Sequence, residues 1–138
     1  MVLREVYEDA IRACDRSLYS QEQIEAWSSL SYLPGILDKP LREGKGWVSC
    51  VDKSIEAFAV KYPHNRLALL YCRGRSSRQG HATALLHQIE KDTLQHRPFN
   101  LKTEASLCSY QLLLRHGWTI IAPEEIQIGG VHFSRFLM

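Results

Sequence analysis

The stretch "YCRGRSSRQGHATALLHQIE", Tyr71 to Glu90, decides how this chain is read. It begins as the end of an apolar run, "RLALLYC", whose composition suits a strand buried on both faces. Its second half places Ala82, Leu85, Leu86 and Ile89 at helical spacing and predicts a helix from about Gln79 to Gln95. Between the two lies a polar loop with Gly74, Gly80, Arg73, Arg75 and Arg78. A strand, a short loop and a helix start bring unpaired backbone N–H groups and the positive end of a helix dipole to one point, where an anion is favoured. Gly80 has no Cβ and lets backbone approach such a ligand closely. The other reading of the same residues is a loop-to-helix turn with solvated arginines.

Phosphate is the anion this chemistry points to, yet two nucleotide signatures are missing. A Walker loop needs Lys after its last glycine, and His81 follows Gly80. The dinucleotide fingerprint G-x-G-x-x-G does not occur.

Working outward, residues 2–13 carry Val2, Val6, Ala10 and Ile11 near helical spacing. A second helix starts after Ser20, an N-cap with Gln23 three residues on, and presents Ile24 and Trp27. Pro34-Gly35 breaks it, and "ILDKPLREG" holds a short helix ending at Gly44. "GWVSCV" and "IEAFAVKY" flank Asp52-Lys53-Ser54 as two strands of a hairpin. Beyond the central stretch, "NLKTEAS" reads as a short strand. "SLCSYQLLLRHGW" reads as a helix with Ser106 as N-cap and Gly117 past its end. The tail gives two strands joined near Pro123 and Gly129-Gly130. The order ααβββαβαββ predicts an α/β (α+β layered) domain over residues 1–138, with a mixed central sheet flanked by helices.

The composition is that of an ordinary globular chain, with 45% hydrophobic and 23% charged residues among 138. A net charge of +2 is too small to argue for nucleic acid. Cys14, Cys50, Cys72 and Cys108 are far apart, show no zinc spacing, and read as free thiols in a reducing compartment, with no metal site. The start "MVLREVYEDA" is acidic where a signal peptide is apolar, and no run of ~18 apolar residues exists. The expectation is a cytoplasmic protein without a membrane partner.

The segment Ser77-Arg78-Gln79-Gly80-His81-Ala82, followed by "TALL", resembles the Gln/Arg-x-x-Gly-x-Gly/Ala motif of the GNAT superfamily of acyl-CoA-dependent N-acyltransferases. "LKTEASLCSYQLLLRHGW" is similar to the family's next strand and helix, with its closing Gly-aromatic pair at Gly117-Trp118. "LYSQEQIEAW" and "TEAS" resemble a branch of small bacterial members of undefined substrate, and the likeness spans roughly residues 12–138. It implies transfer of an acetyl or short acyl group from acetyl-CoA to an amine. It implies that backbone from Arg78 through Gln79, Gly80, His81 and Ala82 to Thr83 cradles the coenzyme A pyrophosphate. The strand edge at Tyr71, Cys72 and Arg73 would pair with pantetheine, with Ser106 touching it. The chain departs from the family at Ser77, where Gln or Arg is usual, and at Leu113, where a Tyr often protonates the leaving thiolate. Leu67 stands where some members carry Glu. The family's first strand also has no counterpart, because the chain opens in a helix. That leaves a bare sheet edge, which a helix or a second copy in a homodimer is expected to cover.

Other candidates carry two readings each. Glu104 and Ser106 share a face of their strand, so Glu104 is a candidate general base or a structural ion-pair partner. Tyr110 is the substitute candidate for the missing acid. Tyr19 and Trp27 belong to the helices that form the family's acceptor side, as pocket walls for a small-molecule or peptide amine or as core. Cys72 and Cys108 read as buried thiols rather than nucleophiles. The runner-up function is an acyl-CoA-binding or regulatory module of the same fold.

Overall fold

The computed structural model describes residues 2–96 and 100–138. Helix α1 (Val2–Arg12) turns Val6, Tyr7 and Ile11 inward. Val2 is left about half exposed, so the apolar stripe lies further round the helix than the expected spacing places it. Helix α2 (Gln21–Ser29) starts at the expected capping box. The Ser20 hydroxyl accepts from the Gln23 N–H at 3.2 Å, and the Gln23 side chain accepts from the Ser20 N–H at 2.9 Å. Such a cap is worth about 1 kcal/mol. Helix α3 (Asp38–Glu43) follows the Pro34-Gly35 break.

Strands β1 (Lys45–Val51), β2 (Ser54–Lys61) and β3 (Leu67–Cys72) form one antiparallel sheet in that spatial order. The β1–β2 turn is made by Asp52 and Lys53, with Asp52 at φ +53. After helix α4 (His81–Thr93), strand β4 (Glu104–Ala105), helix α5 (Tyr110–Arg115) and strands β5 (Ala122–Ile128) and β6 (Val131–Leu137) complete the chain. The second sheet has the order β4-β6-β5, and Gly129-Gly130 supplies the two positive-φ residues that a tight hairpin turn needs.

The expected mixed central sheet consists of two antiparallel halves. They meet at a parallel bridge between Arg66 and Lys102. There the Leu67 N–H donates to the Lys102 carbonyl at 2.8 Å, and the Thr103 hydroxyl donates to the Leu67 carbonyl at 2.7 Å. Beyond this bridge β3 and β4 part. The strand buried on both faces is β2, not β3 as the apolar run suggests, because β3 borders the opening.

Alternation along β2 divides two cores. Phe58 and Val60 pack with Val6, Tyr7, Ile11 and Ile24 under α1 and α2. Ala57 and Ala59 lie on the other face with Leu85, Leu86 and Ile89, and their small side chains let α4 lie close to the sheet. The end of α4 is fastened to β2 by Lys61, whose ammonium is 3.0 Å from Asp92 and 3.0 Å from the Thr93 hydroxyl. Burial works to raise the Asp92 pKa, but Lys45 and Lys61 more than offset it and hold the carboxyl below its ordinary value. Among the described residues no strand pairs with the outer edge of β1, where Val48 and Val51 are about half exposed.

Candidate functional site

The parting of β3 and β4 leaves an edge of β3 without a neighbouring strand. The Arg73 N–H donates to the Glu56 carbonyl at 2.8 Å, and the register pairs Tyr71 with Phe58. Antiparallel alternation then turns the N–H and C=O groups of Leu70 and Cys72 away from β2, toward the opening. A register shift at Val60/Lys61 bends β3 below this point.

Beside that edge, the loop Arg73–Gly80 delivers the start of α4. The helix begins at His81, two residues later than expected, because Gly80 at φ +90 and Arg78 at φ +61 cannot lie within it. No side chain caps α4. The first helical bond of this turn joins the Ala84 N–H to the Gly80 carbonyl at 3.0 Å, so the N–H groups of His81, Ala82 and Thr83 precede it and point outward. A Cβ built on Gly80 would meet nothing within 4 Å.

The arginines are distributed differently from the sequence expectation. Buried Glu56 on β2 gathers them: Arg75 Nε and Nη2 donate to its carboxylate at 2.8 and 2.7 Å, and the Ser76 hydroxyl donates at 2.6 Å. Arg73 donates to the Ile55 carbonyl at 3.1 Å and lies 3.8 Å from Glu56. The side chains of Arg73 and Arg75 are thus anchors of the loop rather than cations facing the helix start. Among the described residues Arg78, which is exposed, forms no ion pair. Gly74 is explained by packing: its N–H donates to Asp9 at 2.8 Å, and an added Cβ would sit 2.6 Å from Ala13. Glu56 is the residue that sequence reasoning missed, since it lies on a strand with no local signal linking it to the loop.

The remaining cradle positions have their own partners. His81 Nδ1 lies 2.7 Å from the Ser49 hydroxyl on β1. Thr83 lies 3.2 Å from His116 Nε2, so His116 meets the first turn of α4 as well as ending α5. Gln79 donates to the Arg75 carbonyl at 3.3 Å. Burial, then Glu56 and Asp9, push the Cys72 thiol up, which keeps it neutral.

A cavity of about 410 Å³ runs between the sheets under α2, in the size range of small-molecule sites, roughly 300–1,000 Å³. Tyr19, Trp27 and Tyr71 line it, as do Glu104 and Ser106. Tyr7, not singled out by the sequence, lines it too, its ring 4.6 Å from that of Tyr71 and its hydroxyl donating to the Trp27 carbonyl at 3.1 Å. Burial pushes the phenols of Tyr19 and Tyr71 up to about 12. Glu104 sits by the closed end of the cleft, where Arg66 Nε donates to both carboxylate oxygens at 3.2 and 2.9 Å. Ser106 is not the cap of α5. The helix begins three residues after the expected start with Ser109 as its N-cap, and the two hydroxyls lie 3.0 Å apart at the cleft. Tyr110 packs on Phe136 at 4.6 Å, outside the cavity lining, whereas buried Leu113 belongs to that lining.

No protein-family model and no curated protein matches the chain. Solved structures do. A GCN5-related N-acetyltransferase from Rhodopseudomonas palustris superposes with a TM-score of 0.92 at 18% identity, covering 98% of this chain and 84% of that one. PaiA N-acetyltransferase from Thermoplasma acidophilum, in complex with coenzyme A, gives 0.65 at 16% identity, with 98% and 89% covered. A GNAT family acetyltransferase from Elizabethkingia anophelis with acetyl-CoA bound gives 0.56 at 15% identity, with 76% and 80% covered. The architecture derived above, a sheet split beside an uncapped helix start, is the GNAT fold.

Proposed function

We propose that this protein transfers an acetyl or short acyl group from acetyl-CoA to a primary amine. The observation that carries the reading is the alignment of two sets of outward-facing backbone groups. Those of Leu70 and Cys72 face the cleft, and those of His81, Ala82 and Thr83 precede the first helical bond at the uncapped head of α4. The helix N–H groups fit a pyrophosphate, and the β3 edge fits the amides of a pantetheine arm. Neighbours of the same fold were solved with coenzyme A and acetyl-CoA, which supports the assignment.

Acetyl-CoA supplies an activated thioester: the amine nitrogen forms the C–N bond, the C–S bond breaks, and the thiolate takes up the proton the nitrogen releases. The chain's part is to position and to polarise. The Cys72 N–H donates to the acyl oxygen as charge develops there, and the cleft holds both reactants in one place. Ser106 and Ser109 stand beside the pantetheine path. A water relay carries the amine proton, since Arg66 occupies both oxygens of Glu104.

One observation favours a second reading, a binding or regulatory module of low turnover. Leu113 lines the cleft where the family resemblance places a proton-donating Tyr. Isothermal titration with acetyl-CoA and with CoA tests the first reading. Micromolar binding that falls at least tenfold in Gly80→Arg supports it, and no binding to either ligand overturns it. Turnover with an amine panel then separates enzyme from module. A homodimer formed over the open edge of β1 belongs to the same proposal, and light scattering that finds a monomer at every concentration counts against it.

A further inference from the structure

From the walls of the cleft we infer that the acceptor carries one amine on an aromatic or branched apolar body, and that polycationic amines are excluded. This rests on the acetyl-transfer reading above.

The first observation is the aromatic wall. Trp27 sits 5.2 Å from Tyr19, 6.4 Å from Tyr71 and 6.5 Å from Phe133, ring centre to ring centre. All four rings line the cavity. Tyr19 and Phe133 are buried, while Trp27 and Tyr71 remain half-buried and so present ring surface to the space. Leu30 and Ile126 extend the apolar wall. An aromatic or branched body desolvates against such a wall and gains ring contacts.

The second observation is charge. Among the described residues the cavity is lined by three charged side chains, Arg66, Glu104 and Arg135. Each is already neutralised. Arg66 holds Glu104 at 2.9 Å, and Arg135 Nε donates to Glu124 at 2.6 Å. No carboxylate in this wall is left for a second ammonium, and an ammonium buried without a partner is strongly disfavoured. A single amine escapes this cost. It enters protonated against the face of Trp27, loses its proton at the cleft, and reacts as the neutral base. Its nitrogen then forms the amide bond while the coenzyme leaves as the thiol.

The test uses the whole protein with 2-phenylethylamine and spermidine, each titrated directly by calorimetry with and without CoA, and each offered as acceptor with acetyl-CoA. The expected result is that phenylethylamine binds and has at least a tenfold higher kcat/KM than spermidine. Trp27→Ala then raises the phenylethylamine KM about tenfold and leaves acetyl-CoA affinity unchanged. If that variant fails to fold, Leu30→Trp replaces it. It adds bulk to the wall and is expected to exclude the amine while CoA still binds. Spermidine preferred over phenylethylamine, with acetyl-CoA bound, overturns the acceptor class and leaves the coenzyme reading standing. Where acetyl-CoA does not bind, that reading fails by itself. The direct amine titrations still decide the acceptor class: phenylethylamine binding without spermidine binding sustains it, and no phenylethylamine binding overturns it.

Discussion

The backbone N–H of Leu107 donates to the hydroxyl of Tyr19 at 2.8 Å, across 88 residues of sequence. The bond ties the loop between α1 and α2 to the turn that follows β4, so this wall of the cleft is held in register with the second sheet. Tyr19→Phe keeps the buried ring and strands the Leu107 donor. It is expected to cost about 1–2 kcal/mol. Urea unfolding with an unchanged slope and a lower midpoint checks this, and an unmoved midpoint contradicts it.

Glu56 gives the fold an acid-sensitive point. Hydrogen bonds from Arg75, Ser54 and Ser76 hold its carboxyl far below the ordinary 4.5. A depressed folded-state pKa stabilises above the unfolded value and is lost as pH falls. The Glu56 contribution is therefore complete above about pH 4.5 and declines progressively below it. In Glu56→Gln the protein is expected to be less stable at pH 7 and its acid-limb slope shallower. Thermal midpoints measured from pH 7 down to pH 3 separate the outcomes, since parallel curves for the two proteins would refute the role.

Gly80→Ala and Gly130→Ala form a matched pair. Both glycines have positive φ, +90 and +81, and both have open space where a Cβ would go. Each substitution carries a backbone cost of about 1 kcal/mol. Only the first lies at the proposed coenzyme cradle, as the N-cap of α4. The expected outcome is similar loss of stability in both and loss of acetyl-CoA affinity in Gly80→Ala alone. Equal affinities in the two variants would separate the glycine from the ligand.

Three of the cysteines, Cys14, Cys72 and Cys108, should not react alike. Cys108 is exposed, and its thiol is lowered chiefly by its neighbour Cys14. That neighbour relation and burial push Cys14 up, and burial pushes Cys72 up. Limiting iodoacetamide at neutral pH is expected to label Cys108 before Cys14 or Cys72. Peptide mapping in which Cys72 is modified first would reverse the assignment.

What could be read from the residues was whatever depends on near neighbours. Ser20 and Gln23 announce their cap because both halves lie within one turn. Gly129-Gly130 announces its hairpin, and Gly80 announces a helix start that backbone geometry then shifts by two residues. The placement of Arg73 and Arg75 could not be read, since their partner Glu56 lies on a strand at a distance along the chain that carries no signature. The residues at which the sheet splits carry no local signal either, since the split depends on how β3 and β4 pair at Arg66 and Lys102 and then part. Tyr7 was passed over because an aromatic residue on an amphipathic helix looks like core until its neighbours are known.

The unpaired edge of β3 has a consequence for how the protein keeps to itself in a crowded solution. A bare strand on the rim of a sheet invites other chains to add to it, with aggregation as the outcome. Here such an edge lies in the middle of the molecule, walled by β4 on the far side and roofed by α2. The adhesive part of a strand is thereby withheld from other proteins. On the proposed reading, the same backbone groups that would make a sheet stick to its copies pair instead with the amides of the coenzyme.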